Sequence, residues 1–73
     1  MAKKGGSAVY RVTQVIGTSS QSWEDATRNA VKTAAGTLRD LRIAEIEKLD
    51  VKIENGKVTQ FRARLSLSFK YGA

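Results

Sequence analysis

The stretch RIAEIEKLDVKIENGKVTQFRARLSLSFKY, residues 42–71, decides the fold of this chain. Asn55-Gly56 lies at its centre, and both residues tolerate the positive φ angles that a type I′ turn needs at its two central positions. Alternating apolar and polar residues flank this turn on both sides, which is the pattern of β-strands with two different faces. The stretch therefore predicts a hairpin with strands over residues 42–54 and 57–71.

A two-residue turn also predicts which residues of the hairpin stand opposite each other, because loop length and turn type set the register. We take Glu54 to be opposite Lys57, and the remaining pairs follow by counting away from the turn. One face of the hairpin is then apolar and is the expected surface for a helix. It contains Ala44 with Leu67, Ile46 with Leu65, and Phe61, Ala63 and Phe69.

The opposite face of the predicted hairpin is mixed in character. Glu47 opposite Arg64 is expected to form a cross-strand ion pair. Apolar residues near the turn would form a patch that one helix cannot cover, so we expect a surface buried between subunits. The pairs on this face are Ile43 with Ser68, Glu45 with Ser66, Glu47 with Arg64, Leu49 with Arg62, Val51 with Gln60, and Ile53 with Val58.

Two further elements are predicted before the hairpin. Residues 9–16, VYRVTQVI, are rich in β-branched side chains and indicate a strand. Ser22 is a suitable N-cap, and from Trp23 onward apolar residues recur at helical spacing, which predicts one helix of about 17 residues that includes Gly36. The apolar stripe is mostly alanine and consists of Ala26, Ala30, Val31, Ala34, Leu38 and Leu41.

The predicted fold class is therefore α+β, with the order β-α-β-β and a three-stranded antiparallel sheet packed on one helix. The chain has 73 residues, so one small domain over residues 8–73 is expected, after a flexible basic tail over residues 1–7. A core of this size is marginal, and without cysteine or histidine neither disulfides nor Cys/His zinc sites can support it. Self-association is the expected source of additional stability.

The composition also excludes several classes of function. With no Cys and no His, catalysis by a Ser–His or Cys–His pair is excluded, and no spacing points to another catalytic group, so we do not expect an enzyme. No long apolar run or signal-peptide pattern is present, and we expect a soluble cytoplasmic protein without a membrane partner. The net charge of +6 includes Lys3 and Lys4 of the tail, and the remaining charges alternate in sign, which is more typical of a solvated surface than of a nucleic-acid-binding track.

Several short motifs, taken together in order and spacing, resemble the dodecin family over residues 8–71. They are YRV followed by VIGTS, the helix start SWEDA, the strand opening AEI and the closing LSF. The resemblance implies a β-α-β-β subunit in a hollow homododecamer that binds and stores flavins such as FMN or riboflavin without catalysis. In that family a tryptophan stacks on the flavin ring and a glutamine bonds to its edge.

At those two positions this sequence has Ile43 and Arg62. Carried over by position, the resemblance makes these residues, with Glu45 and with Gln60 as a substitute for the missing glutamine, the candidate flavin-binding residues. Replacing the tryptophan removes the stacking platform, and arginine cannot accept a hydrogen bond as glutamine can.

The helix start SWE, an aliphatic residue at position 43 and an arginine at position 62 resemble the calcium dodecin branch of the family more closely. Calcium takes about six to eight oxygen ligands, so Glu45, Glu47 and Asp50 from several subunits are the candidate metal ligands. The alternatives for these residues are the ion pair of Glu47 with Arg64 and a solvated position for Asp50. Two other functions stay open: a structural assembly without a ligand, and a nucleic-acid-binding module that uses Arg62, Arg64 and Lys70.

Overall fold

The computed structural model describes residues 8–70 of the chain, so the predicted tail over residues 1–7 and the strand position Tyr71 lie outside the described residues. The order of elements is β-α-β-β, as predicted, and the three strands form one antiparallel sheet with the third strand in the centre. The elements are β1 (Tyr10–Ser19), α1 (Trp23–Ala35), β2 (Leu41–Glu54) and β3 (Lys57–Lys70).

Strand β1 is longer than predicted, because it continues through the GTS segment to Ser19. Gly17 pairs with Ala63 of β3 at the point where the helix crosses the sheet. A Cβ on Gly17 would overlap the carbonyl oxygen of Ala26 and approach the Cβ of Ala30 to 2.7 Å. The absence of a side chain at Gly17 therefore allows α1 to lie directly on the sheet.

Helix α1 begins as predicted and ends early. The Ser22 hydroxyl caps the helix by accepting a hydrogen bond of 3.0 Å from the backbone N–H of Asp25. Gly36 is the C-cap, so the expectation that it lies inside a helix of about 17 residues was wrong; α1 has 13 residues. Leu38 lies beyond the helix and Leu41 begins β2, although both remain packed against the core.

The core of the domain is small. Its two large, fully buried side chains are Leu65 and Leu67 of β3, and the rest of it is alanine. The radius of gyration is 15.6 Å, whereas a compact chain of this length has about 11 Å. The hairpin therefore extends well beyond the surface that α1 covers. The buried core residues are Ala26, Ala30, Ala34, Ala63, Leu65 and Leu67.

The turn geometry agrees with the prediction, but the register of the hairpin changes three times along its length. Asn55 and Gly56 have φ angles of 53° and 75°. Counted from the turn, shifts in the pairing lie between Lys52 and Ile53, between Ile46 and Lys48, and between Leu41 and Ile43. The second of these leaves Glu47 as the extra residue of a β-bulge.

Between the first two of these shifts, each β2 residue from Lys48 to Lys52 pairs one position away from its predicted partner. The predicted pairs of Glu47 with Arg64, Leu49 with Arg62 and Val51 with Gln60 were therefore wrong. The observed pairs are Lys48 with Arg64, Leu49 with Ala63, Asp50 with Arg62, Val51 with Phe61 and Lys52 with Gln60. The predicted pairs are confirmed from Ile43 to Ile46 and at Ile53 and Glu54, whereas Phe69, expected opposite Arg42 by counting, pairs with Leu41.

The register change moves apolar residues to the other side of the sheet. Leu49 and Val51 stand opposite Ala63 and Phe61, whose face carries α1, so the apolar patch predicted for the opposite face lies on the helix side. The patch is nevertheless not covered by the helix, as predicted. Of the four residues predicted for it, Val51 is half-buried, whereas Leu49, Ile53 and Val58 are exposed. These three and the neighbouring Ile46 are called the hairpin patch below, and between 47% and 63% of each is exposed.

Candidate ligand-binding face

The candidate site residues lie on the face of the sheet opposite α1, which we call the outer face. It consists of the side chains that alternate along the strands with those pointing to the helix. The pairing of β1 and β2 with the central β3 arranges them in rows across the sheet. The rows are Val12–Ser68–Ile43, Gln14–Ser66–Glu45, Ile16–Arg64–Lys48 and Thr18–Arg62–Asp50.

Ile43 lies in the row that is least polar on the outer face. Its side chain is 61% exposed, and Val12 at the other end of the row is 62% exposed. Ser68 stands between them on β3. The position at which the resemblance expects a stacking tryptophan is therefore an open, apolar surface without an aromatic ring.

The two glutamates of β2 have different surroundings. Glu45 stands opposite Ser66, as predicted. Glu47 lies in the bulge, and its carboxylate accepts hydrogen bonds from the Ser66 hydroxyl and, at 2.8 Å, from the Gln14 amide. Glu47 is therefore held by two neutral donors, and the predicted ion pair with Arg64 was wrong.

Asp50 and Arg62 form a bidentate ion pair on the outer face. Arg62 Nε and Nη2 donate to the two carboxylate oxygens of Asp50 over 2.7 and 3.1 Å. The hydrogen bonds from Arg62 lower the pKa of Asp50. Partial desolvation acts in the opposite direction, and the positive charges of Arg62 and Arg64 add to the lowering. The same hydrogen bond raises the pKa of Arg62. Asp50 is nevertheless 53% exposed, so the alternative of a solvated position agrees with the structure.

Gln60 is the next outer-face residue after Arg62 along β3, so the prediction that these two share a face agrees with the structure. Residues two apart on a strand are separated by about 6.6 Å. Gln60 stands opposite Lys52 and is half-buried. Its amide has no hydrogen-bond partner among residues 8–70 and is available to a ligand or another subunit.

The carboxylates of one copy of the chain, within residues 8–70, do not form a calcium site by themselves. Within residues 8–70 no three acidic side chains converge on a common point. Glu47 and Asp50 already accept hydrogen bonds, whereas the Glu45 carboxylate has no partner in that part of the chain. A calcium ion, with about six to eight oxygen ligands, would need oxygens from more than one subunit here.

Trp23 connects the start of the helix to the segment that carries Asp50. Its indole N–H donates a 3.0 Å hydrogen bond to the Asp50 carbonyl oxygen, and its ring meets Phe61 edge-to-face with centroids 5.2 Å apart. Trp23 therefore fastens the helix start to the sheet. The sequence did not indicate Asp50 as its partner, because counting from the turn placed Leu49, and not Asp50, opposite Arg62.

The GTSSQS segment uses its polar groups internally. Ser19 is buried, and its hydroxyl donates to Asp25 over 2.7 Å and accepts from the backbone N–H of Gln21 over 2.9 Å. The Asn29 amide donates to the Thr18 carbonyl over 3.1 Å. The segment thus joins β1 to the helix start, which Ser22 caps as predicted.

A three-stranded open sheet with a single helix on one face defines a small α+β domain of the β-α-β-β type. The family model described as Dodecin matches residues 9–72. The chain belongs to the dodecin family. Its helix, within the part that the structure describes, is too short and too polar to cross a membrane.

Three relatives illustrate the similarity. The calcium dodecin of Mycobacterium tuberculosis (strain ATCC 25618 / H37Rv) is 41% identical over 64 residues, which cover 86% of this chain and 89% of that protein. The structure of dodecin from Streptomyces coelicolor has a TM-score of 0.85 at 39% identity, with 90% and 94% of the two chains covered. The crystal structure of the calcium chelating immunodominant antigen from M. tuberculosis, a calcium dodecin with a novel calcium-binding site, has a TM-score of 0.78 at 39% identity and covers 86% of this chain and 90% of that one.

Proposed function

We propose that this protein is a non-catalytic binding protein, assembled as a homododecamer, that stores a small ligand at sites between subunits on the outer face. The outer face supports this role because it is exposed and carries oriented polar groups. Glu47 and Arg62 are held in place by hydrogen bonds, while Glu45 and Gln60 keep free polar groups.

The assembly is supported by apolar surface that the subunit leaves uncovered. The hairpin patch is exposed on the helix side, and Val12, Ile16 and Ile43 are exposed on the outer face. The hydrophobic effect favours burial of such surface by about 25 cal/mol for each Å². A further copy of the chain is the proposed cover, with twelve copies as the number that the dodecin resemblance implies.

Calcium is the ligand that we propose first. The observation that carries this proposal is the location of Glu45, Glu47 and Asp50 on one exposed segment of β2, with the Glu45 carboxylate free of any partner among residues 8–70. The M. tuberculosis relative, 41% identical, is a calcium dodecin. Carboxylates from neighbouring subunits would together supply hard oxygen ligands of the kind that calcium prefers.

The test combines native mass spectrometry with calorimetric titration of calcium. We expect a mass of twelve subunits and saturable calcium binding that Glu45→Gln weakens. Glu24→Gln is the matched control, since Glu24 is an exposed helical glutamate that pairs with Arg28, away from the outer face. A monomer or dimer would contradict the assembly, and equal calcium binding by Glu45→Gln and the wild type would contradict this site.

Flavin is the second candidate ligand, because Ile43 and Arg62 lie on the same exposed face at the positions that the resemblance assigns to flavin contacts. In this case Glu45 and Gln60 would contact the ligand beside them. Titration of FMN or riboflavin should then quench flavin fluorescence. Ile43→Trp should strengthen the quenching by restoring an aromatic platform. No quenching by either the wild type or Ile43→Trp would exclude flavin as the ligand.

A further inference from the structure

The bulge at Glu47 places two cations opposite each other. Lys48 of β2 pairs directly with Arg64 of β3 on the outer face. Without the bulge, Glu47 would take the place of Lys48 and form an attractive pair with Arg64. Like charges directly opposite each other in an antiparallel sheet are destabilising, so the observed register replaces a favourable pair with an unfavourable one.

Nearby carboxylates do not neutralise these two cations. Among residues 8–70, neither Lys48 nor Arg64 lies within ion-pair distance of an acidic side chain. The charge of Arg64 acts on Asp50, but both Asp50 carboxylate oxygens are bonded to Arg62. The Glu47 oxygens accept from Ser66 and Gln14. Lys48 and Arg64 therefore keep donors that point to solvent without an anionic partner.

The surroundings of Arg64 have room for a small anion. Ile16 completes the row that Arg64 and Lys48 form across the sheet. A shallow cleft of about 250 Å³, lined by Gln14, Val15, Ile16 and Arg64, lies on the β1 side of Arg64, and Lys48 lies on its β2 side. Arginine and lysine are complementary donors here, because the planar guanidinium can bond two oxygens at once and the ammonium acts as a compact charge.

We propose that Lys48 and Arg64 form a binding site for a phosphate-type anion, either inorganic phosphate or a phosphate group on an organic ligand. Such an anion would remove the repulsion between the two cations and bond to both of them. The site involves none of the candidate calcium or flavin residues. It therefore does not depend on the identity of the ligand proposed above.

The experiment is calorimetric titration of the wild-type assembly with inorganic phosphate and with glycerol 3-phosphate, at constant ionic strength set by chloride. Both phosphate and the phosphomonoester should bind in preference to chloride, and glycerol should not bind. Tighter binding of glycerol 3-phosphate than of phosphate would indicate an organic ligand, whereas equal or weaker binding would indicate the inorganic anion.

Two charge-removing variants test the assignment of the site. Lys48→Gln and Arg64→Gln should each weaken phosphate binding by about tenfold or more, since each loses a charge-assisted hydrogen bond. Lys57→Gln is the matched control, because Lys57 is an exposed lysine beside the turn, opposite Glu54. It should bind phosphate as the wild type does.

A third variant tests the repulsion itself. Lys48→Glu restores an opposite charge across from Arg64, so it should raise the melting temperature in chloride and abolish the response to phosphate. The proposal would be overturned if the wild type bound phosphate no better than chloride, or if Arg64→Gln bound it unchanged. It would also be overturned if both charge-removing variants dissociated the assembly yet kept their phosphate affinity. The two cations would then stabilise a contact with a neighbouring subunit and would not bind phosphate.

Discussion

Asp50 stands directly opposite Arg62 across β2 and β3, and its carboxylate accepts two hydrogen bonds of 2.7 and 3.1 Å from the guanidinium. The backbone carbonyl of the same aspartate accepts a hydrogen bond from the Trp23 indole on the opposite side of the sheet. Asp50 therefore couples the start of the helix to the outer face. It also orients Arg62 at a candidate ligand-contacting position.

We expect Asp50 and Arg62 to be energetically coupled. Asp50→Asn and Arg62→Gln should each lower the melting temperature slightly, because each removes the same exposed ion pair, and the double variant should cost less than the sum of the single changes. Thermal denaturation of the four proteins measures this coupling. Glu24→Gln and Arg28→Gln, which break an exposed ion pair on the helix, are the comparison. Additive effects of Asp50→Asn and Arg62→Gln would show that the pair does not form in solution.

The ion pair also predicts a pH dependence. Arg62 lowers the pKa of Asp50 in the folded protein below that of the unfolded chain. The carboxylate therefore contributes stability at pH values above its unfolded pKa, near 3.9. This contribution is lost as the pH falls through the lower, folded pKa. NMR titration of the Asp50 carboxyl carbon should give a midpoint below about 3.9, whereas in Arg62→Gln the midpoint should return toward that ordinary value.

Gly17→Ala should severely destabilise the protein, because the new methyl group would overlap the Ala26 carbonyl oxygen and the Ala30 side chain. Relief of this overlap requires the helix to move away from the sheet, which opens the core. Gly36→Ala is the matched control. Gly36 has a helical φ of −70°, and its added Cβ would meet only the Thr33 carbonyl oxygen at 3.3 Å.

Urea denaturation measures the free energy of unfolding of both variants. We expect a change within about 1 kcal/mol for Gly36→Ala and a loss several times larger for Gly17→Ala. Equal effects would mean that the helix does not lie as close to β1 as the structure shows.

Trp23→Phe separates the two contacts of the tryptophan. The variant keeps an aromatic ring near Phe61 and loses the indole N–H that bonds to the Asp50 carbonyl. We expect a loss of about 0.5–1.5 kcal/mol in the free energy of unfolding, the usual net contribution of one hydrogen bond. Trp23→Ala removes both contacts and should cost more. If the two variants were equally stable, the contact with Phe61 would contribute nothing.

Local chemistry in the sequence was sufficient to predict the order of elements, the hairpin turn and the helix start. Asn55-Gly56 determines the turn because these residues adopt positive φ angles readily. Ser22 determines the helix start because its hydroxyl satisfies a free backbone N–H. The sequence also indicated the family, through the order and spacing of its short motifs.

The partners across the sheet depended on the tertiary structure. The turn sets the register only as far as the first irregularity, and none of the three irregularities has a local sequence signal comparable to Asn-Gly. In the predicted register Leu49 would stand opposite Arg62, on the face away from Trp23. The bulge instead places Leu49 opposite Ala63 on the helix side and leaves Asp50 to pair with Arg62. In this register the Asp50 side chain bonds to Arg62 and its carbonyl bonds to Trp23. These contacts join residues far apart in the sequence, so the turn alone cannot set them.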